Sequence, residues 1–290
     1  MNNIRAVVFD MDGVLRIGNK LIDNVEHVLQ DLDQKNIKTM IVTNECRYTV
    51  DELKEDLEDL GLIIPKSCGF YTAGLSARDY LEKKILSFPK QDFIIGVIGE
   101  LGVVYAINTL TKYKNAELRT GALDKEKIKN KRLYLIIGTV NKIKISHLHK
   151  ILKWINCGAK VITTCKDNCD PSSRGDLIVG MPNHMLHMVG FNNKFNGYST
   201  GKPHPIFKEK ILQLLNNGND NNNGNNIQAH EVLFVGDTIY TDIQLAEESG
   251  FQSCLVLSGN SNKHTPKSFV SEPNYILDDV SKLQSILHNN

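Results

Sequence analysis

Long uninterrupted apolar runs are missing from this chain of 290 residues, and so is any excess of charge. The longest apolar stretch, Phe93 to Ile107, is broken by Glu100 and by Gly96, Gly99 and Gly102, which excludes a bilayer-spanning helix there. A formal net charge of +1 predicts no electrostatic pull toward nucleic acid or an anionic membrane. The six cysteines, Cys46, Cys68, Cys157, Cys165, Cys169 and Cys254, are too scattered for a disulfide framework. The spacing of Cys157, Cys165 and Cys169 fits no strong zinc pattern, so ordinary reduced thiols are expected. Met1 is followed almost at once by Arg5 and an apolar strand, leaving no room for a secretory leader. The expected location is therefore the cytoplasm. An apolar fraction of 41% and a charged fraction of 23% remain, ordinary for a soluble chain with a real core.

Strand and helix patterns alternate along the chain, which predicts a parallel sheet and an α/β fold. Ile4 to Phe9 reads as a buried strand, and Asn24 to Lys35 as an amphipathic helix with Asp23 or Asn24 as its cap. Met40 to Val42 is a second strand. Val50, Leu53, Leu57 and Leu60 share the face of the next helix, and Gly61 is placed to end it. Cys68 to Tyr71 and Leu75 to Leu86 repeat the unit. In the middle, Phe93 to Ile98, Leu133 to Ile137 and Val161 to Thr163 read as strands. The helix Ile145 to Cys157 is expected to turn Leu148, Leu152 and Ile155 inward. This stretch has enough β/α pattern of its own for an inserted second domain. The first pattern then returns, with a helix from Ile206 to Leu215, a strand Val232 to Val235, a helix Asp242 to Glu248 and strands Cys254 to Leu257 and Tyr275 to Leu277. Residues 216–226 are nearly all Asn, Gly and Asp, a composition predicted to stay disordered. The predicted division is a core part at 1–80, an inserted domain at 81–186 and a second core part at 187–290.

The first strand ends abruptly in Asp10-Met11-Asp12-Gly13. In an open α/β sheet such an end lies at the carboxyl edge, where ligand crevices form. Side chains alternate along a strand, so Asp10 and Asp12 can lean the same way while Gly13 lets the chain turn. Two carboxylates so close repel unless a cation or shared proton stabilises them, and a hard dication such as Mg²⁺ prefers carboxylate oxygens. The stretch reads as a metal-assisted site with a nucleophilic carboxylate. Thr43 and Asn44 end the second strand, Asp237 ends a later one, and Lys202 stands between Gly201 and Pro203 just before a helix. Parallel strands bring such ends to one edge.

These four stretches, FDMDGVL, IVTN, GKP and VGDTIYTD, resemble the motifs of the haloacid dehalogenase superfamily of phosphohydrolases, which implies a doubly wound Rossmann-like core. The insertion falls where that superfamily places an α/β C2-type cap. Gly18-Asn19-Lys20, Tyr71-Thr72-Ala73, Val97-Ile98-Gly99-Glu100 and Leu255 to Gly259 resemble the branch holding NagD-like, para-nitrophenyl phosphatase, phosphoglycolate phosphatase and pyridoxal phosphatase proteins. The resemblance implies that Asp10 attacks phosphorus and forms an aspartyl-phosphate, and that Asp12 is the acid and then the base. It implies that Thr43 and the Asn44 amide hold the phosphoryl group while Lys202 neutralises it. Mg²⁺ would be bound by Asp10, the Asp12 carbonyl and Asp237, with Asp242 as a further acidic partner. Asp12 disfavours dehalogenation, and the short Leu15 to Leu32 segment disfavours a mutase with a small helical cap.

Hydrolysis of a small phosphorylated metabolite is therefore expected. A catalytically silent phosphate-binding protein and a phosphotransferase are the alternatives. The resemblance also implies pairing of two copies through the cap, whose specificity loop best matches Lys166 to Gly175. Asp167, Asn168 and Arg174 are its candidates for leaving-group contact, with turn formation as the alternative. The chain departs from the branch at Glu45, Cys46, His204 and Val179 to His184. Glu45 is expected to turn toward Arg47, Cys46 to be a packed thiol, and His204 to be a loop or capping residue. Phosphoglycolate, pyridoxal phosphate, sugar phosphates and nucleotides all stay open as substrates.

Overall fold

Short apolar runs bounded by turn residues become strands, and the amphipathic stretches between them become the covering helices. The computed structural model describes residues 4–120, 123, 126, 128–166, 181–190, 198–217, 226–261 and 272–287. Strand β1 (Ala6–Phe9) leads through a hairpin, β2 (Arg16–Ile17) and β3 (Lys20–Leu21), to helix α1 (Val25–Gln34), β4 (Lys38–Thr43), α2 (Val50–Asp59) and β5 (Gly69–Thr72). Helix α3 (Ala73–Ser87) leads into a second series: β6 (Phe93–Ile98), α4 (Leu101–Asn108), β7 (Ala116–Leu118), β8 (Arg132–Ile137), α5 (Ile145–Asn156), β9 (Lys160–Thr163), α6 (Pro182–Met188) and β10 (Tyr198–Ser199). The first pattern resumes with α7 (Pro205–Asn216), β11 (Val232–Gly236), α8 (Gln244–Ser249), β12 (Gln252–Val256), β13 (Tyr275–Leu277) and α9 (Gln284–Leu287).

Six strands form one parallel sheet in the order β13-β12-β11-β1-β4-β5. Its two faces are both apolar because alternate residues serve different clusters. Val7, Phe9, Ile41, Leu233 and Val235 pack with α1 and α2, while Ala6, Val8, Met40, Val42 and Phe234 pack with α7 and α8. Burial on both faces explains why these strands read as continuous apolar runs. The expected doubly wound α/β architecture is present.

A second parallel sheet, β10-β9-β8-β6-β7, follows the same rule. Phe93, Ile95, Tyr134 and Ile136 face α3 and α4, and Ile94, Leu133, Leu135 and Ile137 face Ile151 and Trp154 of α5. Gly96 makes that possible, since a Cβ there would stand 2.5 Å from the Trp154 ring. Helix α3 runs without a break across position 80, and β10 adds residues 198–199 to this second sheet.

Several local expectations need correction. Leu152 is 40% exposed, and the inward face of α5 centres on Ile151 and Trp154. The apolar stripe is tilted by the 3.6-residue period, so Leu148 and Ile155 flank it and Leu152 falls outside. Asn24 occupies the N-cap position of α1 in the left-handed region (φ 61°) and makes no side-chain cap bond. The segment expected to be helical from Asp242 starts earlier, as a π-helical turn at Ile239–Ile243 that passes into α8. Helix α4 and strand β7 had no counterpart in the sequence reading. Of the Asn-rich stretch, 218–225 lie outside the described residues. Among the described residues, no helix is long and apolar enough to cross a membrane.

Helix α4 of the second series docks tightly on the loop that follows β4. The amides of Gly102 and Val103 at the start of α4 donate to the carbonyls of Arg47 (2.8 Å) and Cys46 (2.9 Å). A Cβ on Gly102 would lie 2.1 Å from the Tyr48 carbonyl oxygen. Gly102→Ala must displace the 46–48 backbone, so a loss of about 1–3 kcal/mol is expected by thermal or urea unfolding.

Candidate active site

Three neighbouring strands end together, and their ends carry the polar residues. Phe9 is in register with Val235 of β11 and Ile41 of β4, so Asp10, Asp237 and Thr43 emerge at one carboxyl edge. The Asp10 amide continues the ladder by donating to the Val235 carbonyl at 2.9 Å. Lys202 arrives from the loop before α7. Its Nζ donates to Asp10 Oδ1 at 2.6 Å and to Asp242 Oδ1 at 2.7 Å.

All four charged groups are buried: Asp10 is 8% exposed, Lys202 2%, Asp237 1% and Asp242 0%. Burial favours the neutral forms, and proximity decides the rest. For Lys202, burial pulls the ammonium down, but Asp10 and Asp242 outweigh it and hold the lysine charged well above its usual range. For Asp10, burial pushes the carboxyl up; Lys202 opposes this, while Asp242 and Asp237 add to it. The Asp237 carboxyl is pushed up to about 7, by burial first and then by Asp242.

Asp242 is an orienting group as well as a charge. Its Oδ2 accepts from the amides of Asp237 and Thr238, both at 3.1 Å. Asp237 sits in a cradle that a side chain would fill. A Cβ on Gly13 would lie 2.2 Å from Asp237 Oδ2, and one on Gly259 only 1.9 Å. That same oxygen accepts from the Asn260 amide at 2.6 Å, and the other accepts from the Thr238 hydroxyl at 2.8 Å.

Asp10, Asp237 and Asp242 offer oxygens that all lie within 4.8 Å of one another. Three buried carboxylates facing one lysine leave excess negative charge, which fits a hard divalent cation. Asp12 stands apart from this trio: its carboxylate accepts from Arg16 Nε at 2.9 Å.

The titration of Asp237 has a signed consequence. Its ordinary value is 3.8 and its folded value about 7. Folded protein therefore keeps a proton that the unfolded chain has lost in between. The stabilisation from this group is full below pH 3.8 and disappears as pH rises through about 7. Without metal, the unfolding temperature is expected to fall from about pH 5 to 8, and an added divalent cation to restore it most at the alkaline end. A metal-free profile that rises over this range would contradict the assignment.

The phosphate-loop candidates have split roles. Thr43 is 3% exposed, and its hydroxyl accepts from the Glu45 amide at 3.0 Å. The Asn44 side chain reaches back and accepts from the Lys202 amide at 2.8 Å, fixing the lysine loop. Glu45 pairs with Arg47, as expected, and also accepts from the Cys46 amide at 2.8 Å. Cys46 is a packed thiol: Thr139 N and Thr164 Oγ1 each lie 3.3 Å from its sulfur, and burial pushes its pKa up. His204 caps α7, accepting from the Ile206 amide at 3.1 Å. Asp167, Asn168 and Arg174 lie outside the described residues.

A cavity of about 60 Å³ opens over Asp10, Thr43 and Lys202, closed from the second sheet by Thr139, Cys165 and Met181. It has room for a few waters or one compact group. A wider groove of about 480 Å³ adjoins it, and Asp12 and Arg47 line both. Arg16, Arg47, Thr238 and Asn260 were not singled out from sequence as site residues. Applying the strand-end rule to β12 as well as β11 would have found Asn260, which follows that strand by four residues.

Known proteins resemble this chain along most of its length. Residues 7–108 match the model of the haloacid dehalogenase-like hydrolases, and residues 199–283 match a HAD-hydrolase-like family. Dihydroxyacetone phosphatase of Corynebacterium glutamicum (strain R) is 24% identical over 276 residues, covering 94% of this chain and 88% of that protein. Ribonucleotide monophosphatase NagD of Escherichia coli (strain K12) is 24% identical over 288 residues, covering 98% and 99%. The solved p-nitrophenyl phosphatase from Archaeoglobus fulgidus superposes with a TM-score of 0.75 at 18% identity, covering 98% of this chain and 100% of that one.

Proposed function

Because the chain belongs to the haloacid dehalogenase-like hydrolases, in their NagD-like branch, and is a phosphatase, we propose that it hydrolyses small phosphorylated metabolites through an aspartyl-phosphate on Asp10. The observation that carries this reading is the buried pairing of Asp10 with Lys202, itself pinned by Asp242. A carboxylate nucleophile needs a fixed position and a neighbouring cation that tolerates the incoming phosphoryl charge. Lys202 supplies both.

In this scheme Asp10 Oδ forms the new bond to phosphorus as the ester oxygen departs. Asp12 gives that oxygen a proton and afterwards takes one from the water that cleaves the acyl phosphate. Thr43 and the Asn44 amide hold the transferring group, and Lys202 neutralises it. Asp10, the Asp12 carbonyl and Asp237 would hold Mg²⁺, with Asp242 orienting Asp237 and Lys202. The ion would supply charge stabilisation for the phosphoryl oxygens. The segment 81–186 would act as the cap, with Asp167, Asn168 and Arg174 as proposed leaving-group contacts.

The relatives' names define a first panel: dihydroxyacetone phosphate, ribonucleoside monophosphates, sugar phosphates and p-nitrophenyl phosphate. Phosphate release from at least one of these, lost with a chelator and restored by Mg²⁺, is the expected result. Turnover that is indifferent to chelation would overturn the metal part of the proposal.

A further inference from the structure

Asp12 is held by a residue that the four motifs do not include. Arg16 is 7% exposed, and its guanidinium spans two carboxylates: Nε donates to Asp12 Oδ1 at 2.9 Å, and Nη1 donates to Asp56 of α2. The backbone sets this up. The amides of Leu15 and Arg16 both turn back to the Met11 carbonyl, and the Gly13 amide donates to the Arg16 carbonyl at 2.7 Å. That tight turn returns Arg16 to the side of the chain occupied by Asp12.

The two residues differ in what they reach. Asp12 lines the cavity over Asp10, whereas Arg16 lines only the wider groove behind it. Arg16 therefore touches Asp12 from the side away from the reacting centre.

We propose that Arg16 is a positioning residue, which fixes the Asp12 carboxyl where it must meet the leaving oxygen and is itself anchored to α2 through Asp56. This rests on the phosphatase reading above. A short acid on a turn gains from such a clamp, because misplacement by about 1 Å can cost roughly a hundredfold in rate. Asp56 has a definite part in it. By sharing the guanidinium, it leaves Asp12 with an orienting donor rather than an isolated cation. The planar fork of arginine suits two acceptors at once; lysine has a single nitrogen to share between them.

The test compares kcat/KM on two esters, since this parameter reports transfer of the phosphoryl group to Asp10 and not the later hydrolysis. A nitrophenolate leaves without a proton, but an alkoxide needs one from Asp12. Arg16→Met is expected to lose about 10- to 100-fold on the best alkyl phosphate of the panel and less than about threefold on p-nitrophenyl phosphate. Arg16→Lys is expected to recover part of the alkyl activity. Asp56→Asn is expected to show the same skew in weaker form, and it reads the clamp in a chain that keeps Arg16 should Arg16→Met fail to fold. Equal losses on both esters in Arg16→Met, or in Asp56→Asn where only that variant folds, would overturn the positioning role. So would a gain on the alkyl ester. A wild-type protein that cleaves neither ester would overturn the phosphatase reading instead.

Discussion

Replacement of Asp10 by asparagine is expected to abolish phosphate release, by about a thousandfold or more, while the chain stays folded. The asparagine amide matches aspartate in shape and its oxygen can still accept from Lys202, but it is no nucleophile toward phosphorus. Stability is expected to hold or rise, because burial, opposed by Lys202 but joined by Asp242 and Asp237, leaves the Asp10 carboxylate net disfavoured. A neutral group removes one of three mutually repelling charges. Steady-state phosphate release and a thermal melt on the same preparation separate the two effects. Activity within about tenfold of wild type would mean that another group attacks.

Lys202→Met is expected to damage both activity and stability. The side chain is among the largest fully buried in the molecule, and its Nζ bridges Asp10 and Asp242. Methionine fills the space and strands two buried carboxylates, a change that costs about 3–5 kcal/mol when a partner of a buried pair is removed. Phosphate release is expected to fall by about a hundredfold or more with loss of the cation at the phosphoryl group. Because the uncompensated carboxylates attract a cation more strongly, Mg²⁺ is expected to raise the unfolding temperature further in the variant than in the wild type. An unchanged melting temperature without metal would contradict the bridging role.

Much of this arrangement was legible in the chain because it depends on strand ends. Asp10, Thr43 and Asp237 each follow a buried apolar run, and parallel pairing of β11, β1 and β4 is enough to bring them together. Lys202 was legible as a cation between glycine and proline before a helix, although its two carboxylate partners lie 192 and 40 residues away. What stayed hidden depends on side-chain reach. Arg16 belongs to no motif or periodic pattern in the sequence, and its contact to Asp56 spans 40 residues. The docking of α4 on the Cys46–Tyr48 backbone rests on Gly102 amide geometry, for which no residue pattern stands. Asn44 shows a subtler limit: its place at the strand end was readable, but its grip on the Lys202 amide was not.

Acid-quench trapping with phosphorus-labelled substrate tests the covalent step most directly. After a brief reaction, the label is expected on the peptide carrying Asp10, to be lost on treatment with base or hydroxylamine, and to be absent from Asp10→Asn. Turnover of the wild type with no label on the protein, or label on a different residue, would contradict nucleophilic attack by Asp10.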